Sequence, residues 1–177
     1  TSKKSEDDKI VLFCKKNNLS FHRGSLNDVA GRLLETIKLK KAKSFVRING
    51  DSPLLDPKIV NRAIQTYRKG DYDLVTNVFP RSFPVGQSVE VIRTSSFVTA
   101  YKKMSTTDHF EHVTKYYYEH PDEFRIRNFS NERDLSSYRL VVDTLEDLKR
   151  IEEIICSMTK PHTEYSLNDL IDLYPST

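Results

Sequence analysis

Two aspartates in this 177-residue chain share one local design. Phe45-Val46-Arg47-Ile48-Asn49-Gly50-Asp51 and Leu140-Val141-Val142-Asp143 are each a short apolar run, read as a strand, that ends in a carboxylate. Ligands of open α/β sheets gather beyond the carboxyl ends of strands, so both carboxylates are expected at one sheet edge. Such a pair suits Mg2+, a hard cation that takes one or two carboxylates and fills its remaining positions with phosphate oxygens and water. Each residue alone has a plainer reading: Asp143 as the cap of the helix that follows it, and Asp51 as a turn residue after Gly50.

Other side chains stand where a substrate would be met. Arg23, in Arg23-Gly24-Ser25, lies between an expected strand and a helix, where a guanidinium and free helix-start amides receive a phosphate or carboxylate, or where it serves structure alone. Arg81 sits in the proline-bounded loop from Pro80 to Gly86, which reads equally as a ligand cover or a connector. Glu111 and His112 are adjacent on an expected helix, so they point about 100° apart and cannot both face a core. His112 reads equally as a donor to a sugar and as the partner of a nearby carboxylate.

Several chemistries are excluded by spacing. The histidines show no His-x3-His or Cys-His pattern, and no Gly-x-Ser-x-Gly elbow is present, so zinc and triad hydrolase readings are poor. Cys14 and Cys156 each lie in an apolar helix-like run and are expected to be core thiols. Basic and acidic residues, 28 and 25, are mixed along the chain without the charge block of a nucleic-acid arm. Apolar runs are far shorter than the roughly 20 residues of a membrane helix, and a cytoplasmic protein is expected.

The elements that must position these residues alternate. Helices are expected over 7–18, from the Ser25–Asp28 cap to about Lys40, from Asp56-Pro57 onward, at 95–104 and 108–119, after Asp143, and at about 166–173. Strands are expected near Leu19–Phe21 and at 44–48, 73–76, 88–93, 124–127 and 138–142. This alternation argues for one α/β domain over 1–177, a layered sandwich with a mostly parallel sheet.

Taken in order, several pieces resemble the cytidylyltransferase family that includes the spore-coat polysaccharide nucleotidyltransferases and is related to CMP-sugar-acid synthetases. They are Phe21-His22-Arg23-Gly24-Ser25-Leu26-Asn27-Asp28-Val29, Val46 to Pro57, Asn77, Pro80-Arg81, Val89-Glu90-Val91, Glu111-His112-Val113-Thr114, and Arg139-Leu140 leading to Asp143-Thr144 with Glu146-Asp147-Leu148. The resemblance implies a Rossmann-like nucleotidyltransferase fold, a three-layer sandwich. In it the residues matching Asp51 and Asp143 hold Mg2+ near the nucleotide phosphates, and Arg23, Arg81, Glu90, Glu111 and His112 lie toward the sugar. It implies CTP and an acidic sugar as substrates, with release of pyrophosphate, for surface polysaccharide or glycan biosynthesis, and leaves a homodimer open.

The chain opens Thr-Ser-Lys-Lys, and nothing in it matches the family's first strand and Gly- and Arg/Lys-containing loop. The fold is therefore expected to be incomplete at its N-terminus and the chain inactive or nearly so by itself, because those groups stabilise triphosphate charge. The rivals are a non-catalytic nucleotide- or sugar-binding module and a metal-dependent glycosyltransferase, whose usual Asp-x-Asp is read as missing.

Overall fold

A computed structural model of the chain describes residues 1–175; the last two residues of the expected 1–177 domain lie outside the described residues. Four strands, β1 (Ser44–Arg47), β2 (Leu74–Thr76), β3 (Glu90–Arg93) and β4 (Ile126–Asn128), form one sheet in the order β1-β3-β2-β4. The expected mostly parallel sheet is mixed: β2 runs parallel to β4 but antiparallel to β3, with Val75 opposite Val91 and Arg127. The antiparallel pair follows from the connection, because β2 returns to β3 through the loop around Pro80–Gly86 and not through a crossover helix.

The helices are α1 (Asp8–Lys16), α2 (Val29–Lys40), α3 (Pro57–Arg68), α4 (Thr94–Lys103), α5 (Thr107–Glu111), α6 (Lys115–Glu119), α7 (Leu145–Cys156) and α8 (Leu167–Asp172). Their starts follow the sequence. Asp28 caps α2 by accepting the Gly31 N–H at 2.6 Å, and Asp56 caps α3 ahead of Pro57. Thr144 and Asp147 close a reciprocal capping box on α7, as Ser166 and Asp169 do on α8.

The chain groups into two compact units. One joins residues 1–45 to 93–124; here α2 packs against α4 and α5 around Leu34, Ile37, Phe97 and Ala100, and Phe45 meets Phe97 edge-on at 5.4 Å. The Tyr101 hydroxyl donates to Asp28 Oδ2 at 2.7 Å, and that bond holds its proton up to about 12. The other unit joins 46–92 to 125–175 around a core that includes Ile59, Val75, Val91, Leu140, Ile151 and Ile154.

Three expected elements differ. Residues 19–21 form no strand: Leu19 and Phe21 are exposed, and only a bridge between Ser2 and Gly24 is made nearby. The helix expected over 108–119 breaks into α5 and α6, because His112 leaves helical geometry and its carbonyl takes the Lys115 N–H at 2.6 Å. Residues 138–142 do not join the sheet; Arg139 forms an isolated bridge with Val85. Cys14 is half-buried and Cys156 exposed, so neither is the expected core thiol; α7 turns Ile151 and Ile154 inward instead.

Candidate active site

Residues 138–142 have backbone partners in loops. Val85 donates its N–H to the Tyr138 carbonyl at 3.0 Å and accepts the Leu140 N–H at 2.7 Å. Two residues on, the Val142 N–H donates to the carbonyl of Asp51 at 2.9 Å. That last bond joins the two segments, so the chain turns toward Asp143 directly beside the loop that presents Asp51. What joins the two segments is therefore backbone outside the sheet, a bond between residues that follow β1 and precede α7.

The close fit has a visible requirement. Gly86 has φ of +96°, and a Cβ there would lie 2.2 Å from the Leu140 carbonyl oxygen. Only glycine combines that backbone with that approach.

The Asp51 loop is braced by uncharged amides. Gln87 is fully buried; its Nε2 donates to the Leu54 carbonyl at 2.8 Å and its Oε1 accepts the Asp56 N–H at 2.9 Å. Asn77 in turn donates to the Gln87 carbonyl and accepts the Val89 N–H. Asp56 carries the brace onward, because its carboxylate receives the Lys58 and Leu167 N–H groups. Asp51 itself accepts the Ser52 hydroxyl on Oδ1 at 2.8 Å. Sequence reasoning missed Gln87, whose signal, a lone amide between Gly86 and an alternating run, was there to be read.

Asp143 is released from the duty its plainer reading gave it, because Thr144 caps α7. Its side chain is 52% exposed, and Oδ2 accepts Nη2 of Arg139 at 2.9 Å. Arg139 also reaches Asp147, which is nearly buried and further takes the N–H groups of Asp143 and Thr144, the Thr144 hydroxyl and Arg150. Led by the Arg139 guanidinium, these donors hold the Asp147 carboxyl far below its usual range.

Two carboxylates on joined backbone segments fit a hard divalent cation that completes its shell with phosphate and water. No group of three or more His, Cys, Asp and Glu side chains arranged for a metal occurs among the described residues, so a cation cage built wholly from protein is not offered.

The other candidates divide. In the same unit, Arg81 donates to Ser88 Oγ at 3.2 Å and braces its own loop. Glu90 is 2% exposed and accepts Arg47 Nη1 at 2.6 Å, an ion pair between β3 and β1. Arg23, Glu111 and His112 belong to the other unit. There Arg23 is a clamp: it donates to the Ser2 and Lys4 carbonyls and pairs with Asp8, fastening residue 23 to the start of the chain. Nearby, the Ser2 and Thr1 donors push the Asp7 carboxyl down to about 2. Glu111 ends α5 and His112 follows it, both exposed, so the side-by-side helical geometry expected of them does not hold. The imidazoles held by a carboxylate are instead His109, whose Nε2 lies 2.7 Å from Glu119, and His22, whose Nε2 lies 2.9 Å from Glu35.

Asp71-Tyr72-Asp73 does have Asp-x-Asp spacing, but it enters β2 and does not leave it, and Arg125 pairs with both carboxylates. It therefore lies at the wrong end of its strand for a strand-end metal site. No described helix is long and apolar enough to cross a membrane.

Known proteins resemble this chain over most of its length. An uncharacterized protein of Methanocaldococcus jannaschii, MJ1063, is 30% identical over 156 residues, which covers 87% of this chain and 63% of that protein. The spore coat polysaccharide biosynthesis protein SpsF of Bacillus subtilis is 29% identical over 159 residues, covering 87% of this chain and 64% of its own length. The chain thus spans less than two thirds of these curated relatives. A solved structure of a cytidylyltransferase from Leptospira borgpetersenii serovar Hardjo-bovis superposes with a TM-score of 0.91 at 33% identity, over 98% of this chain and 73% of that one. The expected Rossmann-like nucleotidyltransferase fold accords with that superposition. A family model described as cytidylyltransferase matches residues 1–171, and the chain belongs to that family.

Proposed function

We propose that this chain carries the cation-holding part of a cytidylyltransferase that moves CMP from CTP to an acidic sugar and releases pyrophosphate. The observation that supports it best is the Val142 N–H bond to the Asp51 carbonyl, which sets the Asp51 and Asp143 segments side by side. Asp51 and Asp143 are the residues that would hold Mg2+. When bound, such an ion would supply positive charge to the phosphoryl oxygens; in the reaction a sugar hydroxyl gives up its proton to solvent as its oxygen bonds the α-phosphorus and the bond to the pyrophosphate oxygen breaks.

The chain's own contribution is positioning. Gln87 and Asn77 fix the Asp51 loop, Gly86 lets the 138–142 segment approach, and Asp147 fixes the turn after Asp143. Arg81 is a proposed sugar-side group of this unit, and Glu111 and His112 are proposed to bind sugar on the family resemblance alone. Arg23 and Glu90 are already committed to Asp8 and Arg47, and their proposed effect on sugar binding runs through the segments they hold. The acidic-sugar reading draws on the family and on the polysaccharide role in the name of SpsF.

The test is pyrophosphate release by the natural protein carrying this chain, with CTP, Mg2+ and a panel of sugar acids. CTP consumption coupled to a CMP-sugar product is expected. Hydrolysis of a nucleotide sugar with CTP untouched would favour a glycosyltransferase, and binding without turnover would favour a binding module.

A further inference from the structure

The Arg139 guanidinium is placed between two carboxylates of unequal standing. Nη2 donates to Asp143 Oδ2 at 2.9 Å and to Asp147 Oδ2 at 3.2 Å, and Nε donates to Asp147 Oδ1 at 3.3 Å. Asp147 is almost fully enclosed and is held by backbone and hydroxyl donors besides; Asp143 is half exposed. Two of the three bonds therefore tie Arg139 to a fixed anchor, and the third reaches a carboxylate that can leave. Charge balance permits the departure. Once Asp143 is taken elsewhere, Arg139 and Arg150 still face Asp147 and Glu146, two positive against two negative groups.

We propose that Arg139 is a built-in counter-cation for Asp143, which a divalent cation must displace when it takes that carboxylate. The inference rests on the reading of Asp51 and Asp143 as the metal pair. While no cation is bound, the pair keeps the half-exposed Asp143 carboxylate compensated. When a cation arrives, Arg139 stays on Asp147 and its outer N–H is freed.

The test is Mn2+ affinity of the purified chain, read from the electron paramagnetic resonance signal of free Mn2+. Arg139→Gln is expected to bind Mn2+ roughly two- to fivefold more tightly than the wild type, the range of an exposed ion pair that no longer competes. Arg150→Gln removes the same charge from the same network without touching Asp143, and is expected to stay close to the wild type. Equal tightening in both variants, or none in Arg139→Gln, overturns the proposal. Mn2+ affinity unchanged in Asp51→Asn overturns the metal pair itself and the inference with it.

A second measurement needs no variant. In a Mg2+ titration of the wild-type chain followed by NMR, the Arg139 Nε signal is expected to move with the Asp143 carboxyl carbon at a shared midpoint, while Arg150 stays still. An Asp143 carboxyl that shifts while Arg139 does not would overturn the proposal.

Discussion

Asp51 follows a sheet strand, and its loop is braced by the buried amides of Gln87 and Asn77; Asp143 follows a segment outside the sheet, and its turn is braced by the ions Arg139, Asp147 and Arg150. The two supports respond to different insults. Amide hydrogen bonds in a dry interior are indifferent to pH and salt but fail if one partner is deleted, because the orphaned groups stay buried. An ion network at the surface is weakened by salt and by acid. The proposed site is therefore held on one side by shape and on the other by charge.

The largest expected effect comes from the contact that joins the 138–142 segment to the 80–88 loop. Gly86→Ala places a Cβ against the Leu140 carbonyl at a backbone geometry that alanine resists. Combining strain with overpacking, a loss of about 3–5 kcal/mol is expected in urea unfolding. A loss under about 1 kcal/mol would mean that the Asp143 segment is not seated there.

Next is Gln87→Ala, which strands the buried Asp56 N–H and Leu54 carbonyl. It should cost about 2–4 kcal/mol, and the loss should be the same at low and high salt. A strongly salt-dependent loss would erase the distinction between the two supports.

The smallest effect is the pH response of the ionic support. Asp147 has its folded pKa depressed below the usual 3.8. Its contribution is therefore complete above that value and is lost as pH falls toward the folded one, where both states bind the proton. The stability gap between the wild type and Asp147→Asn, followed by urea midpoint, should hold steady from pH 7 to about 5 and narrow below about 4. A gap that instead grows on acidification would show the sign to be wrong.

Much of this arrangement was legible in the sequence where local chemistry decides the outcome. Asp28 and Asp56 stand before apolar-periodic runs and do begin helices, the cap read at Asp143 falls one residue later at Thr144, and the Gly50-Asp51-Ser52-Pro53 turn follows its strand as read. What failed depends on distant partners. Leu140-Val141-Val142 has the composition of a strand, yet its partners are Val85 and Asp51 in loops, which no periodicity reveals. The break at His112 is hidden because Phe110, Val113, Tyr116 and Tyr117 keep helical spacing across it. Gln87 is polar and was passed over, although its burial makes it the brace of the Asp51 loop. For Glu90, the sequence shows a carboxylate on an alternating strand, but only the fold reveals Arg47 against it.

Asp51 and Asp143 are proposed to serve one cation in one reaction. That proposal is tested most directly by pyrophosphate release from CTP in the natural protein carrying this chain, comparing Asp51→Asn, Asp143→Asn and the double variant. If the two carboxylates act as a unit, each single change lowers turnover on the order of 10²-fold or more and the double falls little further, because residues that work together are not additive. Losses that multiply in the double variant, or single variants within a few-fold of the wild type, would contradict the account.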